Sequence, residues 1–148
     1  MKRGLKLGVA VAAAAVCLAI PIVASGATGI SAHLTGAQVV NPNGGDPDGS
    51  ANVNLRVNRQ KARVCYTITY KNLEARVTGA FLHKGSAGQI ARPIITLFKG
   101  DIASPVQGCV HDLKKRIVKR LKRKPTQHYV DIDTRNFPDG AIRGQLTR

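Results

Sequence analysis

The sequence is poor in the groupings on which most chemistry depends. Its four histidines, His33, His83, His111 and His128, stand singly, with no His-x-His and no Cys/His cluster. A catalytic zinc or copper site needs three or four nitrogen or sulfur ligands. No Gly-x-Ser-x-Gly turn presents a nucleophile, Gly85-Ser86-Ala87-Gly88 is a loop of small residues, and no P-loop or dinucleotide fingerprint occurs. The expectation is therefore a non-enzymatic protein with no catalytic residues, no cofactor and no metal. Acidic residues are also scarce, eight against 23 lysines and arginines, for a formal net charge of +15. Cysteine occurs three times. The one long apolar run, Leu7 to Ile22, is shorter than the ~20 residues that span a bilayer. There is no internal repeat.

What is present begins with an export signal. Lys2, Arg3 and Lys6 precede that apolar run, nothing acidic interrupts it, and after Pro21 small residues stand at alternate positions, Val23, Ser25 and Ala27. The layout predicts a signal peptide over residues 1–27, cut after Ala27 with Ser25 as the alternative, and a secreted domain over 28–148. An uncleaved anchor fits less well, because no basic stop-transfer cluster follows. Lipid attachment at Cys17 also fits poorly, since Ala14-Ala15-Val16 is a weak context for it. The mature chain, of about 120 residues, suffices for one domain and hardly for two. Cys17 leaves with the signal, so Cys65 and Cys109 are expected to form a disulfide in an oxidising compartment. Closing the loop between them stabilises the fold by about 4 kcal/mol in the chain-entropy account.

The mature part reads as strands. Period-two patterning runs loosely from Ser31 to Val40 and cleanly from Ala51 to Asn58, where Val53, Leu55 and Val57 alternate with polar residues. Turn formers from Asn41 to Ser50 separate the two. Arg63 to Tyr70, Val77 to His83, Pro93 to Phe98, Tyr129 to Asp133 and Ala141 to Leu146 complete seven strands, the last two joined at the turn Phe137-Pro138-Asp139-Gly140. One helix is expected from Asp112, as N-cap, to Lys124, stopped by Pro125, with Leu113, Ile117, Val118 and Leu121 on one face. The pattern predicts an all-β fold, an antiparallel Greek-key β-sandwich with one short basic helix.

That helix concentrates the charge. Lys114, Lys115, Arg116, Lys119, Arg120, Lys122, Arg123 and Lys124 lie there against a single acid, Asp112, mostly opposite the apolar face. They are the candidate anion-binding residues. The partners such a ridge suits are an anionic cell-surface polymer, lipid headgroups or another extracellular protein, and export ranks nucleic acid below these.

The order His33-Leu34-Thr35-Gly36-Ala37-Gln38, Gly45-Asp46-Pro47-Asp48-Gly49-Ser50, Leu82-His83-Lys84-Gly85, Tyr129-Val130-Asp131-Ile132-Asp133-Thr134 and Phe137-Pro138-Asp139-Gly140-Ala141-Ile142-Arg143-Gly144-Gln145-Leu146 resembles the CHRD domain, named from chordin and found in secreted microbial proteins. The resemblance implies an immunoglobulin-like or Cu/Zn-superoxide-dismutase-like sandwich and assigns no agreed activity. The family pattern carries His-x-His in the segment of Phe81-Leu82-His83 and a further histidine at the place of Asp133. Positions 81 and 83 share a strand face, as do 131 and 133, so three imidazoles could gather there on a metal. This chain keeps only His83.

His83 and Asp133 are accordingly read as a hydrogen-bonded staple between strands, with a weak metal site, in a metal-binding or dismutase-like protein, as the alternative. Asp46 and Asp48 alternate as calcium ligands do, but Ala51 and Val57 occupy the places where an EF-hand needs glycine and glutamate, which leaves a hairpin turn. Arg143 is read as a structural bridge to Asp131 or Asp133.

Overall fold

A computed structural model describes residues 29–148, and the expected signal segment with Cys17 lies outside the described residues. The alternating segments become strands β1 (Ile30–Thr35), β2 (Ser50–Asn58), β3 (Arg63–Lys71), β4 (Val77–Lys84), β5 (Pro93–Lys99), β6 (Val106–Val110), β7 (His128–Thr134) and β8 (Ile142–Gln145), with helix α1 (Lys115–Arg123) between β6 and β7. All pair antiparallel in one eight-stranded sheet of order β5-β4-β7-β8-β1-β2-β3-β6. Its edge strands β5 and β6 approach each other, so the sheet curls into a nearly closed barrel. The fold is all-β with one helix.

One face of each strand fills the barrel. Val53 and Leu55 of β2, Val64 and Ile68 of β3, Leu82 of β4, Ile132 of β7 and Ile142 of β8 are essentially sealed from water. At roughly 1.5–3 kcal/mol for each large apolar side chain buried, this interior is the main source of stability. The antiparallel registers give the barrel two ends. Helix α1 lies at the end holding the β2–β3 hairpin, where the Leu113 N–H donates to Ala62 O, and Leu121 joins the core. The opposite end is made by loops 36–49, 72–76, 100–105 and 135–141, tied together by bonds such as Asp46 N–H to Ala141 O and Arg135 N–H to Arg76 O.

Three sequence expectations are corrected. The first strand stops at Thr35, not Val40, and residues Gly36–Gln38 form a 3-10 turn. A Cβ on Gly36 would lie 1.9 Å from the Asp46 carbonyl, so the chain turns where backbone packs on backbone. An eighth strand, β6, lies where no strand was expected; its Gly108 sits against the Tyr66 hydroxyl, 2.5 Å from where a Cβ would be. The helix starts at Lys115, not Asp112: Asp112 has φ of 54°, and the N-cap is Lys114 without a side-chain bond.

The Asp46 turn is structural. Asp46 is fully buried; its Oδ1 accepts from the N–H groups of Asp48 and Gly49, and its Oδ2 from Glu74 N–H at 2.9 Å. A carboxylate so engaged ties two loops together and has no free face for calcium.

Cys65 and Cys109 face each other across β3 and β6 and are joined by a disulfide over a sequence separation of 44. It fastens edge strand β6, which has one sheet neighbour. The double variant Cys65→Ala/Cys109→Ala is expected to lose about 2–4 kcal/mol in urea unfolding; an unchanged midpoint would mean that the barrel closes without the crosslink.

Candidate functional site

The outer face of β4, β7 and β8 brings together His83, Tyr129, Asp131, Asp133 and Arg143. Residues of β7 at odd positions, Tyr129, Asp131 and Asp133, point away from the core that Val130 and Ile132 fill. Across from them β4 offers His83 opposite Tyr129, Phe81 opposite Asp131 and Gly79 opposite Asp133. On the other side β8 places Arg143 opposite Asp131. Register shifts next to Phe81 and His83 in the β4–β5 pairing tilt these side chains as bulges do. Loop residues Val39, Val40, Ile90 and Pro138 wall the face into a cleft of about 450 Å³.

Both nitrogens of His83 are engaged. Nδ1 donates to Ala91 O at 2.7 Å, and Nε2 lies 2.9 Å from both carboxyl oxygens of Asp131. A carbonyl and a carboxylate can only accept, so each nitrogen carries a proton and the ring is an imidazolium. Burial acts to lower the pKa of this histidine, but the hydrogen bond and charge of Asp131, the Ala91 carbonyl and the charge of Asp133 outweigh it, and the net shift is upward. The partner of His83 is thus Asp131, where the sequence reading named Asp133. The reason is geometric: Gly79, not His83, stands opposite Asp133.

A three-layer stack runs across the strands. The rings of His83 and Tyr129 are parallel with centroids 4.5 Å apart, and the Arg143 guanidinium lies 3.5 Å from the centroid of the Tyr129 ring. Two cations therefore cover opposite faces of one phenol. The expected bridge from Arg143 to Asp131 or Asp133 does not form: the ion pairs among the described residues are His83–Asp131 and Arg76–Asp101. Arg143 instead donates to Ser86 O, and Gln145 donates to Gly85 O, which fastens loop 85–92 over the face.

Asp133 is the perturbed acid. Burial first, then the negative charge of Asp131, raise its pKa to about 7; His83 opposes and Asp139 adds to the shift. The side chain of Phe81, packed where a Gly79 Cβ would stand, contributes to that dry environment. No three side chains of His, Cys, Asp or Glu gather for a metal ion among the described residues. The face offers little to one, since Phe81 has no donor atom and both His83 nitrogens are already engaged, by Ala91 O and Asp131.

The second candidate region is α1. Val118 and Leu121 are sealed and Ile117 and Leu113 pack against the core, as the sequence spacing predicted. The eight cations Lys114, Lys115, Arg116, Lys119, Arg120, Lys122, Arg123 and Lys124 are all exposed. Within the eight, Arg116, Lys119, Arg120, Arg123 and Lys124 line one shallow concavity, a single stripe at helical spacing.

The model of one protein family, described as the CHRD domain, matches residues 30–146. The chain belongs to the CHRD domain family. Among curated proteins and among solved structures, no match was found. In this CHRD domain the face holds Phe81, a His83 bonded at both nitrogens, and an Asp133 of raised pKa. Sequence reasoning missed Tyr129 as the middle of the stack and Asp131 as the histidine's partner; the period-two spacing that puts 129, 131 and 133 on one face was the available signal.

The pKa shifts set a pH dependence. His83, raised, contributes stability that is complete below about 6.5 and is lost as pH rises through its folded pKa; Asp133, raised, costs stability as pH rises from about 4 to 7. His128 opposes them at the acid side: burial first, then the charges of Arg120 and Lys84, outweigh its bonds to backbone carbonyls and lower its pKa, so stability falls below about 6.5. Asp133→Asn is expected to raise stability by at least ~1 kcal/mol at pH 8 and by nothing measurable at pH 4. Equal effects at the two pH values in urea unfolding would show that Asp133 titrates normally.

Proposed function

We propose that this CHRD domain is an exported, non-enzymatic extracellular binding module that holds an anionic partner on the outer stripe of α1. The observation that carries the reading is the set of eight exposed cations, with no acid paired to any of them among the described residues. The opposite side of the helix is locked into the core, so the charges are presented on a rigid support.

The stripe carries more charge than the helix itself calls for: Arg120, Lys122 and Arg123 in the last turn suit the negative end of the helix dipole, but the cations of the first turn do not. There is no acid in its first turn and no side-chain cap, and Lys115 and Arg116 stand at the positive end of the helix dipole, where cations cost about 0.3–1 kcal/mol each. Solubility would be met by mixed charge. A polyanion in contact with the stripe gains from each cation, and release of its counterions makes the binding steeply salt-dependent.

Export is supported by the signal-like layout of residues 1–27, by the Cys65–Cys109 disulfide and by the family. The Greek-key sandwich reading is supported by β7, which follows β4, β5 and β6 in the chain and returns to lie beside β4, with β6 approaching β5 at the open edge. A metal-binding, dismutase-like role is disfavoured by the imidazolium at His83. Stoichiometric copper or zinc in elemental analysis of the purified protein would overturn the non-enzymatic reading.

The direct test replaces Arg116, Lys119, Arg120 and Arg123 by glutamine, a helix-forming residue. Retention on immobilised polyphosphate should weaken at least tenfold, with the slope of log affinity against log salt reduced by about three. Undiminished retention by the folded variant would remove α1 as the binding surface.

A further inference from the structure

The cleft beside β7 contains two groups of opposite character that do not meet. Arg143 and Asp133 both line it, yet no ion pair joins them among the described residues. Arg143 is 6 % exposed. One guanidinium nitrogen donates to Ser86 O, Tyr129 covers one face, and the side chain lines the cleft. Asp133 is half-buried and has burial and neighbouring charge around it but no hydrogen bond to the carboxyl.

A ligand that completes both must accept at one end and present a donor or acceptor at the other. Its net charge is constrained as well. His83 and Asp131 cancel as an ion pair; an anion would meet Asp133 and Asp139, and a cation would meet Arg143. A hydroxyl both donates and accepts, so vicinal hydroxyls satisfy a guanidinium and a carboxyl without bringing charge. Beside this polar floor, Val40, Pro138 and Ile90 give the cleft an apolar wall, and Ile90 is 71 % exposed, the most exposed large hydrophobic side chain among the described residues. The volume of about 450 Å³ falls within the range of small-ligand sites, roughly 300–1,000 Å³.

We propose that this cleft is a saccharide-binding site, in which Arg143 and Asp133 hydrogen-bond the hydroxyls of an uncharged sugar unit and the Ile90 side packs on its C–H face. The site is separate from α1 and does not rest on the polyanion reading.

The test is heteronuclear NMR titration of the mature protein with glucose, N-acetylglucosamine and cellobiose, with glycine, acetate and ethylammonium as charged controls. The sugars should shift the Phe81, Ile90 and Arg143 resonances with millimolar affinity. Asp133→Leu should weaken binding at least tenfold, whereas Asp133→Asn, which still donates and accepts, should stay within about threefold. Ile90→Asp, on an exposed position that the fold does not need, should also weaken it. The proposal is overturned if none of the sugars moves the cleft resonances up to about 50 mM. It is equally overturned if a charged control binds there more tightly than every sugar, or if Asp133→Leu and Ile90→Asp bind as the parent does. Loss of polyphosphate retention in the α1 variant leaves sugar binding unchanged, which keeps the two readings distinguishable.

Discussion

The sheet is continuous because of one short strand. β8, only Ile142–Gln145, pairs with β7 on one side and β1 on the other, and so joins the half of the sheet that carries the cleft to the half that carries the disulfide. Its contact with β1 is narrow, with Thr35 opposite Arg143. Gly144 makes it possible: a Cβ there would lie 2.4 Å from the His33 carbonyl, which no side chain could tolerate without shifting the backbone. Ile142 and Leu146 are sealed in the core while Arg143 turns outward onto Tyr129. The closing run Ala141 to Leu146 therefore does several structural tasks in six residues.

From this strand outward, the cleft face follows by stacking and hydrogen bonding. Arg143 fixes one side of Tyr129 and His83 the other, and the Tyr129 hydroxyl bonds the backbone of Ala91. The same Ala91 carbonyl takes the His83 Nδ1 proton. Loop 85–92 is thus held by side chains from three neighbouring strands. An imidazole that holds the Ala91 carbonyl and Asp131 at once is a crosslink between β4, loop 85–92 and β7.

Where the sequence was legible and where it was not follows from how local each cause is. The alternation of Val53, Leu55 and Val57 with polar neighbours needs only the period of a strand, and β2 is buried on that face. The apolar side of α1 needs only helical spacing, and it too is buried as read. The cysteine pairing rested on compartment and count, with no geometry required. The His83 partner is different in kind. Asp131 and Asp133 sit on the same face two residues apart, and only the β4–β7 register, which no local pattern encodes, selects Asp131. β6 was invisible because Val106-Gln107-Gly108-Cys109-Val110 is short and holds a glycine, whose role is to make room for Tyr66 on the neighbouring strand. Arg143 was given an acidic partner because opposite charges at cross-strand distance invite one; Asp131 was already occupied by His83, and the ring of Tyr129 lay nearer.

The distribution of charge between the two ends of the barrel connects the two proposed surfaces. Six of the eight acidic residues, Asp46, Asp48, Glu74, Asp101, Asp133 and Asp139, lie in or beside the loops at the end opposite α1. The eight cations of the helix, with Arg148 bonded to the Lys122 carbonyl, lie at the other. An anionic surface would draw in the helix end, because at the loop end Lys71, Arg76, Lys99 and Arg135 are offset by the acids. The cleft runs along the flank, from Ile90 near the helix end to Pro138 at the loop end. A molecule standing on α1 would therefore keep its cleft open to the surroundings, so attachment through the helix and recognition through the cleft are sterically compatible in one small domain.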